Sequence, residues 1–493
     1  MLARISFLCL AHVTLGAVVQ AAEPDSKVLD ALIDSALSDW HVPGAAIVIV
    51  DGDKILYLSG RGLREIGKAE RITPDTVFPL ASCGKAFTTT LLAMLVDDGK
   101  LDWDDPVRKH LTDFHLSQPL ADGDVRLRDL VAMRTGVAPH DLLWYRAPWS
   151  QDEMIRRVGK LPLSQPFRTA MQYQSLMFMA AGRAAGNAAG RSWDELMRER
   201  ILKPLGMKSA TLTTDEALKN PDHAAPHKKA KDGEIAAIPW YPMKEPNPAG
   251  SIIVSARDLV PWLQLNLNEG KHGETRLVSA QNLKATHSPQ IVVAVEGVTA
   301  DEHPFTQQMS YGMAWVIQDY RGELLVSHAG VIDGFRVHIA LLPKKKLGLA
   351  ILANLHQTRM NLALSNAIVD RFLGAPAKDW NEHYRKIVDA ADFAERQREA
   401  KMERERKRGT SPTLPLTSYT GTYEEAAYGT AKIVVENDEL ILEWSSFRAR
   451  LEHFQYDTFR VLDDNLGRWP LKFTIKDKEV SAMSALGMTF KKR

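Results

Sequence analysis

The sequence predicts an α+β domain followed by a small all-β antiparallel domain, and three observations carry this expectation. Two strand-like runs come early, a long helical region follows, and strand-like runs return over residues 313–354 before a closing helix. Strands at both ends with helices between them imply one antiparallel sheet assembled from both ends of the domain, not βαβ repetition. A heavily charged stretch without Gly or Pro, residues 379–408, then precedes many short strands at near-regular spacing. That spacing implies a small barrel or sandwich.

In chain order, residues 1–21 read as a secretory signal peptide. Arg4 supplies the positive start, 5–19 is mostly apolar, and Val19-Gln20-Ala21 offers small residues for cleavage after Ala21. The run is below the ~20 residues of a membrane span. The expectation is an exported protein, periplasmic or secreted, with no integral membrane segment after signal removal. Residues 28–40 form an amphipathic helix through Leu29, Leu32, Ile33 and Leu37. Asp51-Gly52 between the apolar runs 45–50 and 55–59 reads as a hairpin. Helices are expected over 85–96, 127–133, 152–158, 180–189, 193–201 and 256–266, then strands over 313–318, 324–327, 335–342 and 347–354, and a helix over 361–373. The 379–408 stretch reads as a solvated connecting helix with i,i+4 ion pairs, or as a basic interaction arm. Six strands are expected between 431 and 485, separated by turn residues such as Asn437-Asp438 and Lys476-Asp477. The expected units are 1–21 signal, 25–375 α+β domain, 376–410 charged helical linker and 411–493 C-terminal β domain.

Composition narrows the function. Of 493 residues, 45% are apolar and 25% charged, which excludes global disorder. Lys+Arg 62 against Asp+Glu 61 leaves a net charge of +1, without the basic excess of a nucleic-acid binder. Cys9 leaves with the signal and Cys83 remains alone, so neither a disulfide framework nor a thiolate zinc site is available. There is no His-Glu-x-x-His, Walker loop or dinucleotide fingerprint, so no metal and no cofactor is expected. The absence of a Gly-x-Ser-x-Gly elbow disfavours an α/β-hydrolase.

The informative string is Ser82-Cys83-Gly84-Lys85 at the start of an apolar helix. Residues three apart share a helix face, so the Ser82 hydroxyl and the Lys85 amine can meet. A serine hydroxyl needs a base beside it to attack a carbonyl, and lysine serves if burial or a nearby positive charge lowers its pKa. No other serine in the chain has a lysine three residues on. Taken alone, Ser82 could equally be a helix N-cap.

Two further motifs follow in order: Tyr173-Gln174-Ser175, and His328-Ala329-Gly330. Ser-x-x-Lys, Tyr-x-Ser and His-x-Gly in this order resemble the three motifs of the serine β-lactamase and penicillin-binding protein superfamily, class C-like branch. That branch holds class C β-lactamases, D-aminopeptidases, D-alanyl carboxypeptidases and β-lactamase-fold esterases. The likeness extends over residues 25–372 through Val42-Pro43-Gly44, Leu101-Asp102-Trp103, Lys203-Pro204-Leu205-Gly206-Met207 and Pro248-Ala249-Gly250-Ser251. The segment from Tyr419-Thr420-Gly421-Thr422-Tyr423 onward resembles the β domain often appended to such hydrolases. The resemblance implies a β-lactamase/transpeptidase-like antiparallel sheet flanked by helices, with an all-helical subdomain. It implies Ser82 as acyl-accepting nucleophile, Lys85 as its activator and Tyr173 as second general base and acid. Ser175 would bind substrate or Lys85, and His328 would stand where lysine is more familiar. Gly330 would admit substrate, and the Ser82 and Val331 N–H groups would form the oxyanion hole. The implied partner is a small ester, peptide or β-lactam-like substrate.

Departures from the family pattern bear on substrate. Ser175 replaces the commoner Asn, removing an amide that both donates and accepts. His328 replaces Lys, turning a permanent charge into a pH-dependent one. Both fit esterase or D-amino-acid peptidase-like members better than an efficient β-lactamase. A non-catalytic penicillin-binding sensor is the reading outside the enzyme class. Met133-Arg134-Thr135 stands where His-Thr-Ser is usual, and Met171-Gln172 where an aromatic is usual. Trp144, Trp149, Trp240 and Tyr241 either pack loops or line an apolar acyl-binding cleft. The C-terminal domain is expected to cover the cleft or to act as a substrate-selecting lid.

Overall fold

The computed structural model describes residues 25–230, 233–463 and 465–493; the expected signal peptide lies outside the described residues. Helix α1 (Ser26–Asp39) starts at Asp25, whose side chain accepts from the Lys27 N–H and so satisfies one orphan donor of the first turn. The hairpin β1 (Gly44–Asp51) and β2 (Lys54–Gly62) forms at the Asp51-Gly52 turn. Helix α2 (Gly84–Asp97), α3 (Ser175–Ala189) and α4 (Ala256–Leu267) lie in the middle of the chain. The strands that return are β3 (Ile291–Val293), β4 (Met309–Tyr311), β5 (Val316–Tyr320), β6 (Glu323–Ile332), β7 (Phe335–Leu342) and β8 (Leu347–Ala353). They join the opening hairpin in one eight-stranded sheet of order β2-β1-β8-β7-β6-β5-β4-β3, antiparallel throughout.

The sheet is buried on both faces, and its central strand shows why. Along β1, Ala45, Ile47 and Ile49 point to one side and Ala46, Val48 and Val50 to the other, all fully buried. The first set packs against α1 and helix α5 (Met360–Phe372) through Leu29, Ile33, Leu364 and Ile368. The second set meets α2 and α4, where Phe87 stacks on Trp262 with ring centroids 3.6 Å apart. Every residue of α2 from Gly84 to Leu95 is buried. A helix apolar all round is a core helix, and this one carries Lys85 inside it.

The sequence misses β3 and β4, three residues each, too short for any periodic signal. It also starts β5 too early. Met313-Ala314-Trp315 instead forms a buried turn with Ala314 at φ +73°, closed by the Gly312 N–H donating to the Trp315 carbonyl at 2.7 Å. Strand β6 runs five residues past the expected end at Ser327, because Ala329-Gly330 has weak strand propensity and is held there by its neighbours.

Helix α6 (Trp380–Glu405) connects the two domains. Trp380 and Tyr384 anchor it, with Trp380 Nε1 donating to Asp370 Oδ2 at 2.8 Å and the Tyr384 hydroxyl to the Glu302 carbonyl at 2.7 Å. Beyond them it is mostly exposed and carries pairs such as Glu382–Lys386. The C-terminal domain is a closed barrel of eight antiparallel strands: β9 (Gly421–Glu425), β10 (Gly429–Glu436), β11 (Glu439–Trp444), β12 (Phe447–Gln455), β13 (Thr458–Asp463), β14 (Gly467–Lys476), β15 (Glu479–Ala485) and β16 (Met488–Lys492). Pairing of Tyr423 with Lys492 and of Glu424 with Lys491 closes it and removes the edges that would invite strand addition. The six strands expected from sequence are present; β9 and β16, which close the barrel, were not separated from their flanks.

Candidate active site

Ser82 sits in a tight turn wedged between two backbones. The strand Val77–Pro79 pairs with Ile253–Ser255 and delivers the chain to a 3-10 turn, Ala81–Cys83, that runs into α2. Ala81 takes φ +46°, a conformation that a residue with a side chain adopts only under constraint. The constraint is visible on both sides. A Cβ on Gly250 would lie 2.8 Å from the Ala81 carbonyl, and a Cβ on Gly330 would lie 2.2 Å from the Leu80 carbonyl oxygen. Only glycine at both positions lets the two strands close on the turn. Ser82 is the partly exposed residue of an otherwise buried segment, so its hydroxyl faces the cleft.

Lys85, in the first turn of α2, is 1% exposed. Its Nζ lies 3.0 Å from Ser82 Oγ and 3.4 Å from Ser175 Oγ, and donates to the Ala249 carbonyl at 2.9 Å. No carboxylate lies within ion-pair distance of it among the described residues, and burial pushes its pKa down to about 7. Near neutral pH a large share of this amine is therefore uncharged, with a lone pair directed at a serine hydroxyl.

Tyr173 and Ser175 enter from the start of α3. The Gln174 side chain accepts from the Leu176 N–H and donates to the Ala138 carbonyl at 2.8 Å, which fixes the helix start. The Tyr173 ring lies 5.0 Å from Lys85 Nζ. Burial keeps its phenol protonated well above the ordinary range, and the Ser82 side chain, through a hydrogen bond, pulls less strongly the other way. A phenolate is thus disfavoured; Tyr173 can relay a proton as a neutral phenol. Met133, unusual in the sequence, brackets this tyrosine. The Gln172 N–H donates to its carbonyl at 2.7 Å and the Gln174 N–H approaches its sulfur at 3.2 Å.

His328 faces the same centre from β6, its ring 6.3 Å from that of Tyr173. Both its nitrogens are engaged. Nδ1 meets the Ala329 carbonyl at 2.7 Å and Nε2 meets the Tyr311 hydroxyl at 3.2 Å. A carbonyl can only accept, so Nδ1 carries the proton and Nε2 accepts from the tyrosine. Burial, reinforced by Lys85, pushes His328 down to about 3. The pH-dependent positive charge expected there is therefore absent across the physiological range. Cys83, buried beside Ser82, donates its thiol to the His328 carbonyl at 3.2 Å. Val331 lies at a position of β6 whose N–H the sheet does not claim. Ile332 and Phe335 close the two-residue turn as a bonded pair, so Val331 opposite Arg336 is a non-bonded position and its N–H points away from β7. On that side β5 ends opposite Ser327. The N–H is left unclaimed by the sheet, and the Ser82 amide stands in the first turn before α2.

These groups line a cleft of about 590 Å³ together with Asp141, Leu142, Trp144, Tyr145, Met154, Met179, Tyr241, Met243 and Asp333. Of the four aromatics singled out in sequence, Trp144 and Tyr241 line it, whereas Trp149 and Trp240 pack elsewhere. Sequence reasoning missed Tyr311, Asp141, Tyr145 and Asp333. Tyr311 meets His328 across an intervening strand, and no spacing announces that contact. The barrel contributes no lining residue; the cleft residues all fall between Ala81 and His356. It contacts the loop that carries part of that wall. Tyr428 Oη pairs with His140 Nδ1 at 2.8 Å, Ser446 Oγ donates to the Arg146 carbonyl at 2.6 Å, and Phe447 stacks on Tyr145. Among the described residues there is no cluster of metal-ligating side chains, and no helix is long and apolar enough to cross a membrane.

The Beta-lactamase family model matches residues 29–370, and a Domain of unknown function (DUF3471) matches 405–492. Unguisins hydrolase ungD' of Aspergillus campestris is 30% identical over 454 residues, spanning 86% of this chain and 80% of that protein. Protein flp of Staphylococcus aureus is 25% identical over 333 residues, spanning 66% of this chain and 63% of that protein. The octameric penicillin-binding protein homologue from Pyrococcus abyssi superposes with a TM-score of 0.65 at 21% identity, covering 95% of this chain and 100% of that one, a likeness of fold. A family match over most of the chain, on a sheet-and-helix frame that brings Ser82 to Lys85, places the protein in the beta-lactamase family as a β-lactamase-fold serine hydrolase with an appended barrel.

Proposed function

We propose that the protein hydrolyses a small ester or amide through an acyl-enzyme on Ser82, in the manner of the esterases and D-amino-acid peptidases of its family. The observation that carries this reading is the 3.0 Å contact between Ser82 Oγ and a buried Lys85 amine whose pKa is held near 7. Neutral Lys85 takes the Ser82 proton as Oγ attacks the substrate carbonyl carbon. The negative oxygen of the tetrahedral intermediate is held by the N–H groups of Ser82 and Val331. As the intermediate collapses, the leaving alcohol or amine receives the proton through Tyr173. Water then attacks the acyl carbonyl, gives its proton to the same pair, and releases the acid with Ser82 restored. Ser175 and the Ala249 carbonyl keep the Lys85 amine on station.

A β-lactam is the alternative substrate. The charge in the cleft supports it less: His328 is neutral, and Asp141 would repel the carboxylate that β-lactams carry. A screen across p-nitrophenyl esters, D-aminoacyl amides and nitrocefin separates the readings. Labelling of wild type but not Ser82→Ala by a fluorophosphonate tests the mechanism, and full activity in that variant would overturn it. Residues 1–21 support export, which N-terminal sequencing of secreted material would check by finding Ala22 first.

A further inference from the structure

The cleft beside Ser82 contains one carboxylate with no cationic partner among the described residues. Lys85 is committed to Ser82, Ser175 and the Ala249 carbonyl. His328 and His356 are both pushed toward neutrality by burial, and each is bonded to a backbone carbonyl. Asp333 is neutralised: it accepts from the Tyr145 hydroxyl at 2.8 Å and from Arg146 Nη2 at 2.8 Å, and Arg146 lies against the rings of Tyr145 and Tyr241. Asp141 differs. Its carboxylate accepts from Trp144 Nε1 at 2.8 Å and has no cation within 4.0 Å among the described residues.

We propose that Asp141 receives a cationic group of the substrate, an ammonium carried on its acyl part, so that the enzyme selects aminoacyl esters or amides. This rests on the reading of Ser82 as the acyl-accepting nucleophile. Asp141 opens the short turn Asp141–Leu143, and that turn is fixed before substrate arrives. His140 on one side is bonded to Tyr428 of the barrel, and Arg146 beyond it to Ser446. A carboxylate already in place spends little entropy on binding. Its surroundings are Leu142, Trp144, Tyr145 and Met154, so a bound ammonium would exchange water for an apolar cleft with one carboxylate and aromatic faces. The negative field of Asp141 reaches the reactive centre, since it favours the protonated form of Lys85. The same field disfavours an acyl group with a carboxylate. Because Asp141 is open to solvent, the preference is modest, about tenfold in kcat/KM.

The test is a matched pair: alanine p-nitroanilide, in both enantiomers, and propionyl p-nitroanilide, which lacks only the amine. At pH 7 the wild type should favour the better alanine enantiomer about tenfold, mostly through KM. Asp141→Asn should bring the ratio of the two substrates to near one, and Asp141→Glu should restore part of it. A wild-type ratio at or below one, or a ratio unmoved by Asp141→Asn, overturns the proposal. Protection of Ser82 from fluorophosphonate by alanine amide against propionamide gives the same ratio without turnover. Hydrolysis of both anilides by Ser82→Ala would instead sink the nucleophile assignment on which the proposal stands.

Discussion

The two walls of the cleft are built by opposite means. The reactive wall is core: Lys85 lies in a helix with its first twelve residues buried, and Ser82 lies in a turn pinned between Gly250 and Gly330. The recognition wall is loop. Asp141, Leu142, Trp144 and Tyr145 hang on a segment with one short turn of its own, held by ring contacts with Tyr241 and Phe447 and by hydrogen bonds to the barrel. Reactivity needs a dry, fixed geometry, because removing water is what lowers the Lys85 pKa. Selection needs a surface that can vary without disturbing that geometry. Changes on the first wall should therefore abolish chemistry, and changes on the second should shift KM.

The largest effect belongs to Ser82→Ala: hydrolysis of any ester or amide substrate should fall by at least ~10³-fold, measured as steady-state turnover, with loss of fluorophosphonate labelling. Residual activity within tenfold of wild type would erase the distinction between the walls.

Lys85→Met comes next, and its two consequences have opposite signs. Activity should fall about 10²–10⁴-fold with the base removed. Stability should rise. Burial holds the folded pKa of Lys85 at about 7, below the ordinary lysine value of 10.5, so the folded state opposes a proton that the unfolded state holds. The resulting penalty is full below pH 7 and fades as pH rises toward 10.5, so the gain from Met should be a few kcal/mol near neutrality and shrink at alkaline pH. Urea titrations at pH 7 and pH 10 would measure it. In the wild type the same group sets an acid limb: kcat/KM should rise tenfold per pH unit below about 7 and flatten above. His328, held near 3, adds no inflection there. A limb that survives in Lys85→Met would assign it to another group.

Gly330→Ala is third. The new Cβ would fall 2.2 Å from the Leu80 carbonyl oxygen, a backbone atom that cannot swing away. Moving β6 or the Ser82 turn by the roughly 1 Å needed to reach an ordinary contact should cost at least about 1–3 kcal/mol of stability. It should lower kcat about 10²-fold with little change in KM. Parallel thermal melts and Michaelis fits separate the two, and an unchanged kcat would mean that the close approach does not position the nucleophile.

How much of this was legible in the sequence follows the same division. Ser82 and Lys85 were readable because they stand three apart on a helix, whereas Tyr173, Ser175, His328 and Gly330 came from the order of the motifs: the expected helix began only at 180 and the expected strand ended at Ser327. Six strands of the sheet followed from apolar runs, and the barrel from evenly spaced short ones. The electrical state of the site was not readable, since it depends on burial. Burial neutralises the expected switch at His328, and Tyr311, whose hydroxyl meets its Nε2, comes from a strand too short to detect. Nor was the recognition wall readable. Tyr145 and Asp333 meet across 188 positions, and the loop that carries Asp141 is held across 300 by Ser446 on the Arg146 carbonyl. The barrel's part as a buttress follows from the same long-range contacts.

The smallest expected effect tests that buttress. Tyr428→Phe with Ser446→Ala removes the hydrogen bonds from the barrel to His140 and to the Arg146 carbonyl without opening a cavity. Each bond contributes roughly 1 kcal/mol to holding the loop. The loop would then populate conformations in which Asp141 and Trp144 no longer face the cleft, and substrate would have to select the competent fraction. KM should rise about two- to fivefold while kcat stays within twofold, because among the described residues no hydrogen bond or ring contact joins the barrel to Ser82, Lys85 or Tyr173. The acid limb near pH 7 should be unmoved for the same reason. A fall in kcat with KM intact would mean that the barrel reaches the reactive wall after all, and that the two walls are one mechanical unit.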